Sequence, residues 1–152
     1  MPSAGNHKDW IEAGYGVRLE RFQPYGVGRP ELGMARDTYA RRGHRHNHGW
    51  CQDSIQAACL SLGTEAARLV AVRAGQINRA YRFPVMWGPT FDWIPDQDHG
   101  NNILNTLQYM LLQSDGNPLF VLPAWPKDRD VNFKLRAANS TTVAAQVMLV
   151  TT

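Results

Sequence analysis

The chain has 152 residues and a formal net charge of +3, a length that fits one domain. Apolar residues make up 43% and there are five Trp, enough to build a core, so a fully disordered chain is excluded. Only 19% of residues are charged, below the usual quarter, so much of the surface is expected to lie against a core or a partner.

No apolar run approaches the roughly 18 residues of a membrane span. The opening MPSAGNHKDW has no basic-then-apolar export pattern. Residues 1–82 carry twelve Lys/Arg against seven Asp/Glu, and residues 83–152 carry four against six. The basic half lacks the interleaved aromatics of a nucleic-acid groove and reads as solvated surface. Neither a membrane nor a nucleic acid is an expected partner.

Residues 1–33 are rich in Gly and Pro and read as irregular, poorly packed chain. MARDTYARR, 34–42, reads as a short helix, followed by a turn at GHRHNHGW. Helices are predicted over 50–62 and 64–80, where Trp50, Ser54, Ala57, Ala58 and Leu62, then Ala66, Leu69, Val70, Arg73 and Ile77, recur at helical spacing. Gly63 fits the residue that ends the first helix and Thr64 the cap of the second, which makes a tight helical hairpin. Cys51 and Cys59 are eight residues apart in one helical pattern, roughly 12 Å of rise. A disulfide spans less than about 7 Å between Cα atoms, so they are expected to be buried, unbridged apolar residues.

YRFPVMWGPTFDWIPDQDHGNN, 81–102, is aromatic and aperiodic, the kind of long segment that tends to be functional. A helix is predicted over 101–114, with Ile103, Leu104, Leu107, Met110 and Leu111 as its stripe and Asp115-Gly116 as its end. From Asn117 the period changes to 2. PLFVLPAW, DVNFKLRA and TTVAAQVMLV read as strands of one small antiparallel sheet from about residue 118. The fold class is α+β, divided at 116/117.

Four groups could carry chemistry. His44, His46 and His48 alternate, but flanking glycines and Arg41, Arg42 and Arg45 disfavour a cation, so no metal or other cofactor is expected. Asp92, Asp96 and Asp98 sit among Phe91, Trp87 and Trp93, which is suited to glycosidic hydrolysis with two carboxyl groups. On spacing alone Asp98 reads as a helix cap and Asp96 as a turn residue. The two roles are compatible, because a helix N-terminus favours an ionised carboxylate, as a base requires. Asp53 reads as a complement to a helix dipole. Trp125, between Pro123 and Pro126, reads as part of a connecting loop.

The order of GWCQDSIQAACLSLGTEAARLV, PDQDHGNN, MLLQSDG and LPAWP resembles the C-terminal end of the catalytic region of glycoside hydrolase family 95, the inverting 1,2-α-L-fucosidases. It is more similar still to large bacterial proteins of that (α/α)6-barrel type with a C-terminal domain of unknown function. The resemblance spans roughly residues 47–143. It implies the last helical hairpin and helix of a six-hairpin toroid, residues 1–116, followed by an incomplete β-domain, 117–152. It implies Asp98 as the catalytic base, with Trp87, Trp93, Asp96, His99 and Asn101 around a carbohydrate substrate. His99-Gly100-Asn101-Asn102 departs from the fucosidase pattern, so fucose is not implied as the sugar. The general acid and the rest of the barrel would lie outside the chain, which as a fragment would be inactive. The parent would be secreted or periplasmic. Sugar binding without hydrolysis, and a purely structural barrel-closing role, are the alternatives.

Overall fold

The computed structural model describes residues 25–43, 45, 47, 51–76, 98–114 and 118–149, and only the backbone of Asp98 and His99. Among the described residues the helices are α1 (Leu32–Arg41), α2 (Asp53–Cys59), α3 (Gly63–Ala74) and α4 (Asp98–Leu111). The strands among them are β1 (Leu112–Gln113), β2 (Phe120–Val121), β3 (Val131–Arg136) and β4 (Thr142–Val147). The class is α+β. The expected single sheet is instead two separate antiparallel ladders, β1–β2 and β3–β4.

The core is built on small side chains. Ala57, Ala58, Ala66, Ala67 and Ala124 surround Tyr39, Leu69 and Met110, with Leu62, Leu107 and Trp125 at the margin. Alanine lets helix axes approach closely, so the short α2 can touch both α3 and α4.

The α2–α3 turn differs from the sequence reading. Ser61, not Gly63, takes the left-handed conformation, at φ 60°. The Ser61 N–H donates to Ala58 O at 3.0 Å and the Leu62 N–H to Ala57 O at 2.9 Å, which satisfies two terminal carbonyls of α2. Gly63 opens α3, Leu62 precedes it, and Thr64 lies inside the helix without a capping role. Gly63 is needed for another reason. A Cβ there would stand 2.6 Å from the carbonyl oxygen of Ala124.

At its far end α4 stops at Leu111, three residues short of the expected end, and the chain enters β1 directly. Leu112 pairs with Val121 and Gln113 with Phe120. Leu122, at φ 57°, then turns the chain back over the helix end. Its N–H donates to Leu111 O at 2.8 Å and that of Ala124 to Met110 O at 3.2 Å. The last carbonyls of α4 are therefore capped by a distant segment.

In the region expected to be poorly packed, residues 25–31 are ordered by turns, and α1 already begins at Leu32. Gly26 is buried. Gly28, at φ 79°, lies against Phe120 so closely that a Cβ would meet the ring at 2.5 Å. Tyr39 anchors α1 in the core. Residues 1–24 lie outside the described residues.

Candidate functional site at the start of α4

The helix predicted from residue 101 begins at Asp98. Asp98 thus occupies the first helical position instead of preceding the helix as a cap. Asn102 stands one turn later, so the two share a row of the helix. Asn101 is exposed in that same first turn. Trp87, Trp93 and Asp96 lie outside the described residues, as do the side chains of Asp98 and His99.

What fixes this helix end is a buried polar seam that the sequence reading did not foresee. Asn102 Nδ2 donates to the Cys51 carbonyl at 3.4 Å. Arg73, 2% exposed and on the buried row of α3, donates Nη2 to the same oxygen at 3.0 Å. Four residues along α4, the Thr106 hydroxyl lies 2.8 Å from Ser54 Oγ and also reaches Asn102 O. Gln113 Nε2 donates to Ala58 O at 2.9 Å and to Tyr109 O at 3.0 Å. These bonds are directional and, apart from the part-buried one to Tyr109, buried, so they set the axial position of α4 against α2. Ile103 and Met110 fill the apolar gaps between them. Asn102 and Thr106, i and i+4 beside an apolar stripe, were a sequence signal for such a seam.

A second polar cluster joins α1 to α2. Asp53 is buried and pairs with Arg42, whose Nη1 also donates to Gln56 Oε1 at 2.6 Å. The expected role of Asp53 as a dipole complement is therefore incomplete: it is the anion of a buried ion pair. The Arg42 guanidinium stacks 4.8 Å from the Tyr39 ring centre, and Arg45 lies 5.7 Å from it. Burial, then the Asp53 carboxylate, push the Tyr39 hydroxyl up to about 12. Arg36 Nε donates to Leu60 O at 2.7 Å, at the end of α2 where a cation is favoured.

Cys51 is buried just before α2 and Cys59, its last residue, is half-buried. Trp125 donates Nε1 to Arg129 O at 3.1 Å and packs at the core margin, in a connecting loop. His44, His46 and His48 lie outside the described residues. Among the described residues no group of three His, Cys, Asp or Glu could hold a metal ion, and no helix is long and apolar enough to cross a membrane.

Comparison with protein-family models and with curated proteins finds no match for the chain.

Proposed function

We propose that the chain is the C-terminal part of a glycoside-hydrolase-like protein that acts on oligosaccharide or polysaccharide glycans by inversion. Asp98 is the general base. Trp87, Trp93, Asp96, His99 and Asn101 line the sugar subsite. The general acid comes from helices outside this chain, so the isolated chain does not hydrolyse its glycan.

The observation that supports this reading is the delivery of Asp98 by α4. The helix starts at Asp98 and is held against α2 by Asn102 and Thr106. A base that activates water must keep a fixed distance, about 6.5–9.5 Å, from its acid partner. A helix registered by buried hydrogen bonds supplies that rigidity better than a loop does. The first-turn N–H groups favour a carboxylate over a carboxylic acid at this end. Exposed Asn101 in the same turn offers an amide for sugar hydroxyls.

The test titrates the 152-residue chain with a panel of neutral oligosaccharides. The expected result is weak binding that quenches Trp fluorescence and shifts the amide signals of His99 and Asn101, with no reducing sugar released. No response to any glycan at about 10 mM would overturn the reading. When the chain is joined to the missing barrel hairpins, Asp98→Asn is expected to keep binding and lose about 10²–10⁴-fold in turnover. Unchanged turnover would show that Asp98 is not the base and serves the helix end alone, whereas binding without turnover in the joined wild-type protein would leave the non-catalytic alternative.

A further inference from the structure

Among the described residues the β3–β4 hairpin has no third strand beside it. It is closed by Asn139 and Ser140, both at positive φ, with the Thr141 N–H donating to Ala138 O. Its register pairs Val131 with Val147, Phe133 with Ala145 and Leu135 with Val143, which gathers the apolar side chains on one face. Asn132, Lys134 and Arg136, with Gln146, Ala144 and Thr142 opposite them, occupy the other. Two strands are marginal in water, and three or more are needed for independent stability.

The direction of each backbone group follows from the turn. The Ala137 N–H donates inward to Thr141 O at 2.8 Å. In an antiparallel ladder the inward groups recur at every second residue. Val143, Ala145 and Val147 therefore bond to β3, and the Leu149 N–H continues the alternation by donating to Asp130 Oδ1 at 2.7 Å. Thr142, Ala144 and Gln146 turn their N–H and C=O groups outward, and all three are exposed. On β3 the outward residues are Asn132, Lys134 and Arg136.

The two edges differ in charge. A lysine on an edge strand is a common guard against pairing. On β3, self-pairing about Lys134 would set Lys134 against Lys134 and Arg136 against Asn132. Like charges directly opposite are destabilising. β4 has no such guard: residues 141–150, TTVAAQVMLV, contain no charge and no proline. Val147, Met148 and Leu149 are 41%, 67% and 46% exposed along its continuation.

We propose that β4 is a dimerisation strand. Two copies pair antiparallel about a two-fold axis through Ala144, giving a four-stranded sheet with β4 strands at the centre and β3 strands at the edges. In this register Thr142 faces Gln146 of the second copy, Ala144 faces Ala144, and every outward N–H and C=O of the three residues finds a partner. Val143 meets Ala145 on the apolar face, which becomes continuous across the axis. Lys134 and Arg136 then guard both outer edges, so growth stops at the dimer. A second copy is the occupant because this edge is uncharged and self-complementary, while the chain as a whole is cationic. The inference uses no residue of the glycan site and concerns the 152-residue chain itself.

Sedimentation equilibrium of the 152-residue chain from about 1 to 500 μM tests this. The expected result is reversible doubling of mass with no larger species. Ala144→Lys places like charges on the axis and is expected to abolish the dimer. Ala144→Pro removes an outward N–H that β3 does not use and is expected to do the same. Far-UV circular dichroism at low concentration checks that each variant folds. A wild-type chain that stays monomeric throughout overturns the proposal. So does a folded Ala144→Lys chain that still dimerises, or open-ended growth of the wild type.

Discussion

The Ser61 hydroxyl donates to the carbonyl oxygen of Pro123, 62 residues away in sequence. Two residues on, the Gly63 backbone rests directly on Ala124. The α2–α3 turn and the segment that caps α4 are thus one seam, made of one side-chain hydrogen bond and one close backbone approach.

Gly63→Ala adds a Cβ at 2.6 Å from a backbone oxygen, which cannot rotate away. Alanine is the better helix former by up to about 1 kcal/mol, but forced overlap in a packed site costs typically 1–3 kcal/mol. The overlap is expected to win. The melting temperature should fall by several degrees, measured by calorimetry, while Gly33→Ala, with open space around it, should not lower it.

Thr106→Val is nearly isosteric and removes the hydroxyl next to Ser54. A buried hydroxyl left without its partner costs about 1–3 kcal/mol. Ser54→Ala is expected to cost less, because the Thr106 hydroxyl keeps its bond to the Asn102 carbonyl. The double variant should cost less than the sum, because no orphan remains. Urea unfolding of the four proteins closes the cycle. Strict additivity would show that the two hydroxyls do not interact.

Breaking the Arg42–Asp53 pair should matter far more than breaking Glu65–Arg68. Side chains of the first pair are 14% and 4% exposed, while Arg68 is 58% exposed. Asp53→Ala strands a guanidinium in the interior and is expected to cost about 3 kcal/mol. Glu65→Ala is expected to cost at most about 0.5 kcal/mol. Denaturant midpoints compare them directly, and similar losses at both sites would contradict the burial argument.

The Tyr39 hydroxyl, pushed up to about 12, gives the protein an alkaline signature. The folded state holds this proton more tightly than the unfolded state, whose tyrosine titrates near 10. Its contribution to stability is therefore full below pH 10 and is lost as pH rises through 10 toward 12. The tyrosinate absorbance that is lost in Tyr39→Phe should be the part that rises near pH 12. Tyr39→Phe should flatten the fall in stability over that window.

The helical elements were legible because their apolar rows are long enough to show a period. Ala66, Leu69 and Arg73 were placed in register by spacing alone and lie on the buried face of α3. Hidden were features whose cause is a distant contact. Gly63 has the signature of a helix end, but its need for hydrogen in place of Cβ comes from Ala124. Gln113 fits a helical pattern locally, yet pairing with Phe120 draws it into a strand. At the candidate site, the place of Asp98 before an apolar stripe marks only a cap, and its reading as a base comes from the neighbouring carboxylates and aromatics and from the family resemblance. The supports behind it, Cys51 O just before α2, Ser54 on α2 and Arg73 on α3, come from other parts of the chain and leave no local mark.

The span between Ser61 and Pro123 also bears on how the chain reaches its fold. Turns such as Ser61–Leu62 close within a few residues and form early, whereas bringing 61 to 123 closes a long loop, whose entropic cost must be met before the contact is made. The seam is therefore a late event on the folding route. Damage there, as in Gly63→Ala, should leave the refolding rate nearly unchanged and appear as faster unfolding. The expected effect of the contact of Pro123 and Ala124 with the helical turn is therefore on the half-life of the folded chain more than on its ability to fold.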